Sequence, residues 1–269
     1  MFSLYMLVSD EWSGIFFIIL SFIAILYGVL IKRATNLKLC SSKPLIFYTG
    51  LFLTYLTINS PLTILSHLYF SSHMLFMSIH YFIIPPLLLL GIPLSLYKYL
   101  KQFKLIRWIK YLLIQPVPAL YSFAILFFVY HFQMILQTFT QYPYIHKIYL
   151  YLLFYLSMNM WRPLVYPTIN QVKQKKSFIF KSSLLLMPAC LFFIFTGVLN
   201  GVGHLPLQGQ LTATLCLPNS DAISYLVPIN NKYDPLLAGL LMLAIHKVSL
   251  MSIVKFEHRL RKGIARKLL

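Results

Sequence analysis

The chain has 269 residues, of which 59% are apolar and only 10% charged, and its formal net charge is +18. A soluble domain carries about 25% charged residues, and surface-to-volume scaling leaves one core unable to bury this much apolar side chain, so a water-soluble globular domain is excluded. Asp10, Glu11, Asp221, Asp234 and Glu257 are the only acids, so the positive balance reflects missing acids rather than a basic face, and no nucleic-acid partner is expected.

Lipid removes the burial problem, but there every backbone polar group must be satisfied within the structure, which leaves helices or a closed barrel. The apolar runs are continuous rather than alternating, which selects helices. The first run is 12–31. No basic n-region or small-residue cleavage site precedes it, so it is expected to be a retained helix and not a signal peptide. A charge-free window follows from Pro44 to Tyr97, long enough for two helices of about 20 residues each. Asn59-Ser60-Pro61 divides it, because proline disfavours helix at the preceding residue and cannot continue one. The second and third runs are therefore 44–59 and 65–91. The fourth, 116–137, opens at Gln115-Pro116, and the fifth is 147–166. The sixth, 180–199, closes at Asn200-Gly201. The seventh, 235–254, has Pro235 at a favoured first helical position. The segment 200–233 is rich in Gly and Pro and is expected to be irregular.

Basic residues alternate between the sides. The segments after the first, third and fifth runs with their flanking helix ends (Arg162 and Lys181), together with the C-terminal tail and Lys247, hold 21 of the 23 Lys and Arg, the others being Lys147 and Lys232. All acids but Glu257 fall on the poorer side. The excess of Lys and Arg in cytoplasmic loops then predicts an all-α integral membrane protein of about seven transmembrane helices, N-terminus out and C-terminus in. No repeat or linker divides the chain, so residues 1–269 are expected to form a single polytopic membrane domain. Cys40, Cys190 and Cys216 form no CxxC pair, which points away from a disulfide framework and a thiolate zinc site.

One run carries chemistry. Between Ser66 and His80 lie His67, His73, Met74, Met77 and His80. At about 100° per residue, His73, Met77 and His80 share an arc of roughly 60°, with His67 and Met74 on the adjoining arc. Polar side chains inside a membrane face the bundle interior. The fourth run brings His131 and Met134 to one face at similar depth, and the fifth and seventh contribute Met158, Met160 and Met242. Imidazole suits copper, iron and zinc, whereas thioether favours Cu(I), so a His/Met set without cysteine or carboxylate points to copper. Neutral ligands also add no buried negative charge. Each residue also has a plainer reading, since intramembrane His often bonds a neighbouring helix and Met fills gaps. His146 and His204 are expected in outer loops, and Pro85-Pro86 should kink the third run below His80. Asp234 is expected to cap its own helix. No Walker loop, Rossmann fingerprint, HExxH or nucleophile elbow occurs, and an enzyme is not expected.

Asn59-Ser60-Pro61-Leu62, His67, His73-Met74, Met77 and the stretch Pro85-Pro86 through Gly91-Ile92-Pro93 resemble the CtaG-type cytochrome c oxidase assembly factors. The likeness extends more thinly to His131, Trp161-Arg162-Pro163, and Asp234 through Gly239 and Met242. It departs where Pro235 follows Asp234 and Ala238 precedes Gly239, in place of the family's Asp-Gln and Gly-Gly. The resemblance implies a multi-pass protein of a bacterial plasma membrane that assists maturation of a caa3-type oxidase and is thought to serve its copper centre. On that reading an oxidase subunit and membrane lipid are the partners. His73, Met77, His80 and His131 are then the expected copper ligands, with His67 and Met74 as a loading relay. Two alternatives stand beside it. His67 and His80 have a spacing by which one helix can ligate two stacked haems, and the helix breaks suit a small-molecule or ion transporter.

Overall fold

The computed structural model describes residues 12–35, 37–59, 69–100, 102–103, 113–165, 172–200 and 233–268. All regular structure among them is helical. In chain order it comprises α1 (Trp12–Ala34), α2 (Ser42–Asn59), α3 (Phe70–Ser78), a π-helical turn (Ile79–Ile83), α4 (Ile84–Gly91) and α5 (Leu94–Leu100). There follow α6 (Pro116–Tyr130), α7 (Gln133–Gln141), α8 (Pro143–Val165), α9 (Val172–Leu185), α10 (Met187–Asn200) and α11 (Asp234–Leu268). Among the described residues, four stretches are long and apolar enough to cross a membrane: Gly14–Ala34, Phe70–Gly91, Lys176–Phe195 and Asp234–Phe256. Pro116–Tyr130 is apolar but shorter.

Helix occupies each of the seven predicted runs, but several boundaries differ for identifiable reasons. The fourth run ends at Tyr130, not 137. His131 Nδ1 donates to Phe127 O at 2.6 Å, taking the carbonyl that its own N–H would bond in a continuing helix. That N–H turns to Phe128 O instead, and Phe132 is extended with ψ 136. The sixth run is two helices joined at Leu186, because Pro188 has no N–H to offer Leu184. The fifth starts at Pro143 rather than 147, so His146 and Lys147 are helical and not in a loop. The seventh does not stop at 254 but continues through the basic tail to Leu268. The expected start of the third run at 65, His67, His204 and the segment 201–232 lie outside the described residues.

The Phe70–Gly91 stretch is the hub. It is 56% buried by its neighbours, against 17% for α1, which lies at the edge with an apolar surface suited to lipid. The principal core gathers Met74, Met77, Tyr81, Phe82, Phe123, Phe127, Tyr130, Leu153, Trp161 and Met242 from the hub, α6, α8 and α11. A smaller cluster of Tyr27, Ile31, Phe47, Leu51 and Leu96 fastens α1 and α2 to it.

At the α2–α4 crossing the helices nearly touch. A Cβ added at Gly91 would stand 2.5 Å from Phe47 Cβ and 2.7 Å from its backbone, while Tyr27 OH donates to Gly91 O at 2.7 Å. Small residues at such a contact let helix backbones approach where lipid supplies no hydrophobic drive. Gly91→Val should destabilise the protein by about 1–3 kcal/mol, seen as a lower Tm in detergent. Gly14→Val, with nothing within 4 Å of the new Cβ, should leave the Tm unchanged.

Candidate functional site

The hub is shaped by its two prolines. Pro85 cannot donate to the carbonyl of Tyr81, four residues back, and Pro86 cannot donate to it either in π geometry. The orphaned Tyr81 O is satisfied from α8, by Ser157 Oγ at 2.6 Å and Trp161 Nε1 at 2.9 Å. Ile84 N–H reaches Ile79 O, closing the π turn. The sequence predicts a kink here. The α-helical ladder breaks at that point into one wide turn, and the missing bond is supplied by another helix.

The start of the hub is fixed by α11. Asp234 is buried, its Oδ2 accepts from Phe70 N–H at 2.7 Å and its Oδ1 from Ser71 N–H at 3.0 Å. Its carboxylate therefore caps α3, a different helix from its own, and meets the positive end of the α3 dipole. Both oxygens are engaged by backbone N–H groups of α3. The two helices run in the same direction. His246 of α11 meets Phe82 of the hub at a ring separation of 4.9 Å, each about twelve residues, or ~18 Å, beyond the Asp234 contact.

One turn below Asp234, α3 and α6 bring His73 and His131 together. Their ring centroids lie 6.1 Å apart, and both residues are buried. Phe70, Phe127 and Phe193 close round the His131 ring. Because His131 Nδ1 donates to Phe127 O, Nε2 keeps its lone pair, and that atom is buried with no hydrogen-bond partner. Buried polar atoms are normally satisfied, so an exception calls for an explanation such as an ion. Two imidazoles sharing one ion at about 2 Å per metal–nitrogen bond have centroids at most about 6.4 Å apart, reached when the ligation is near linear. The observed separation lies inside that limit. Met74 and Met77 are fully buried on the same helix, Met77 four residues beyond His73 and so on its face. Met242 is fully buried on α11.

His80 does not join this pair. Its ring lies against Phe76, Tyr81 and, on α8, Phe154 at 5.0 Å. It lies seven residues, about 10 Å along the axis, beyond His73. Among the described residues, no three His, Cys, Asp or Glu converge in a way that would hold a metal. Met134 is 79% exposed on α7 and does not share a face with His131, because the chain turns at Phe132. Deeper in the bundle, His246 Nε2 is buried without a partner, and Lys247 Nζ donates to Ser183 Oγ rather than standing alone in lipid.

Sequence reasoning missed His146. It is half-buried and stacks on Phe139 and Tyr130 at 5.1 and 5.7 Å, and its Nε2 lies 3.0 Å from Tyr130 OH. The signal was present in Pro143, a helix-start residue three positions earlier. Arg162, expected as an interfacial anchor, donates to Ile114 O at 3.1 Å and Asn159 Oδ1 at 3.4 Å. It thereby ties the start of α6 to α8.

The family model described as cytochrome c oxidase caa3 assembly factor matches residues 24–255. Neither a curated protein nor a solved structure matches the chain.

Proposed function

Because this chain belongs to the cytochrome c oxidase caa3 assembly factor family, we propose that it delivers Cu(I) to an oxidase subunit, holding the ion between His73 and His131. The observation that carries this reading is the buried, unpartnered Nε2 of His131 beside the His73 ring. Met74 and Met77 offer thioethers, soft donors that favour Cu(I). Two imidazoles with a weaker thioether form a site that binds without a thiolate and exchanges ligands readily, which suits a carrier better than a catalyst. His80 is a station deeper in the bundle, and His67 a relay ahead of α3. The client is an oxidase subunit, reached laterally in the membrane.

The proposed setting is a bacterial plasma membrane, with seven spans, N-terminus out and C-terminus in. The parallel run of the hub and α11 supports it, since they are the third and seventh runs and odd runs share a direction. Cys40 is exposed between α1 and α2, and Cys190 is buried. In a Cys216→Ser variant, a membrane-impermeant maleimide should label Cys40 in inside-out vesicles and not in intact spheroplasts. Labelling in spheroplasts would reverse the orientation.

Metal analysis and an optical spectrum of the purified protein test the function. The expected result is about one Cu(I) per chain with no visible band, as for a closed-shell ion on imidazole and thioether. A Soret band would instead establish the haem alternative, and neither signal would remove both.

A further inference from the structure

Three imidazoles surround one phenol. The ring of Tyr130 lies 5.8 Å from His73 at an interplanar angle of 12°, 5.7 Å from His146 at 22°, and 5.0 Å from His131 at 83°. Tyr130 is 2% exposed, whereas His146 is half-buried near the start of α8. The phenol is thus a wedge. It separates His146 from the His73–His131 pair, and this is why three imidazoles so close together do not converge on one point. Its hydroxyl sits 3.0 Å from His146 Nε2. In the tautomer that ligates through Nε2, the hydroxyl donates this bond and masks the lone pair.

We propose that His146 is the loading ligand of the copper site and Tyr130 its gate, an inference that rests on the function proposed above. Cu(I) displaces the Tyr130 hydroxyl from His146 Nε2, and the phenol proton stays on its oxygen. A turn of the Tyr130 ring then lets the ion exchange His146 for His73 and His131. No electron moves: one Cu–N bond, to His146, breaks as two form, to His73 and His131, and all three ligands are neutral. Phe139, stacked on His146 at 14° and 5.8 Å from Tyr130, packs against both rings and holds the imidazole in place for the exchange.

Transfer kinetics test this. Detergent-purified full-length protein is mixed anaerobically with the coloured Cu(I)–bicinchoninate complex, and loss of colour gives the rate and the final stoichiometry. His146→Phe keeps a stacking ring and removes the ligand. It should slow uptake by about tenfold or more with final copper unchanged. Tyr130→Phe keeps the wedge and removes the mask, and should speed uptake by about three- to tenfold. Wild-type uptake rates in both variants would overturn the gate while leaving the His73–His131 site standing. Loss of final copper in His146→Phe, with an unchanged gel-filtration profile, would also overturn it by making His146 a permanent ligand. Absence of uptake by the wild-type protein would instead defeat the copper function itself, and the gate with it.

Discussion

His131→Asn protein should carry no stoichiometric Cu(I) and should fail to support oxidase maturation, while folding normally. His131 does two things: Nδ1 holds Phe127 O at the end of α6, and Nε2 stands unpartnered beside His73. Alanine removes both, so its failure would be ambiguous. The Asn amide N–H reaches roughly where Nδ1 does and keeps the bond to the carbonyl, but nothing replaces Nε2. Losing one of two strong ligands should weaken Cu(I) binding by at least about 100-fold, since even outer-shell losses cost metal sites 10- to 100-fold. Competition with a Cu(I) chelator reads the affinity, and Tm reads the fold. Unchanged copper stoichiometry in His131→Asn would defeat the ligand assignment. His73→Ala should fail in the same way, whereas His80→Ala, with its ring turned to Phe154, should bind copper nearly as well as wild type.

Asp234→Ala is expected to give the largest loss of stability. The substitution leaves the N–H groups of Phe70 and Ser71 buried without acceptors. A lost cap costs about 0.5–2 kcal/mol and each unsatisfied buried donor about 1–3 kcal/mol, so the sum should be about 2–4 kcal/mol after partial relaxation. Asp234→Asn keeps one oxygen but gives up the charge facing the helix dipole, and should lose roughly half as much. Unfolding in a graded denaturing detergent ranks the three proteins. Equal stability of Asp234→Ala and wild type would mean that α3 does not depend on α11 for its start. Because His73 lies one turn below this cap, Asp234→Ala should also weaken Cu(I) binding, and Asp234→Asn should recover most of it.

Local sequence signals reached the existence of the helices and the identity of the hub, since both follow from apolar run length and from where proline falls. The pairing of His73 with His131 was legible as shared depth on antiparallel neighbours. What failed was depth, rotation and partnership. A helical wheel gives direction but not depth, and His80 stands about 10 Å further along the hub than His73, with its ring on Phe154 of α8. Helical spacing puts Met134 on the face of His131, because nothing in Tyr130-His131-Phe132 signals that an imidazole will take the carbonyl its own amide needs. Asp234 followed by Pro235 reads as a local helix start. That the same carboxylate serves α3, 164 residues earlier, is a tertiary fact without a local signal. His146 was lost by starting the fifth run at the first charge rather than at Pro143.

The Tyr81 carbonyl bears on biogenesis. Ser157 and Trp161, which complete its hydrogen bonding, stand 76 and 80 residues later in the chain. The ribosome therefore delivers the hub to the membrane well before either donor exists. In the interval this carbonyl has no main-chain donor, and lipid offers none, at a cost of several kcal/mol. The hub must wait beside the insertion machinery, or keep a water at its bend, until α8 arrives. Insertion and folding cannot then be separate stages for this protein. Its central helix completes its bend only with α8, and the start of that helix waits longer still, for Asp234 of α11.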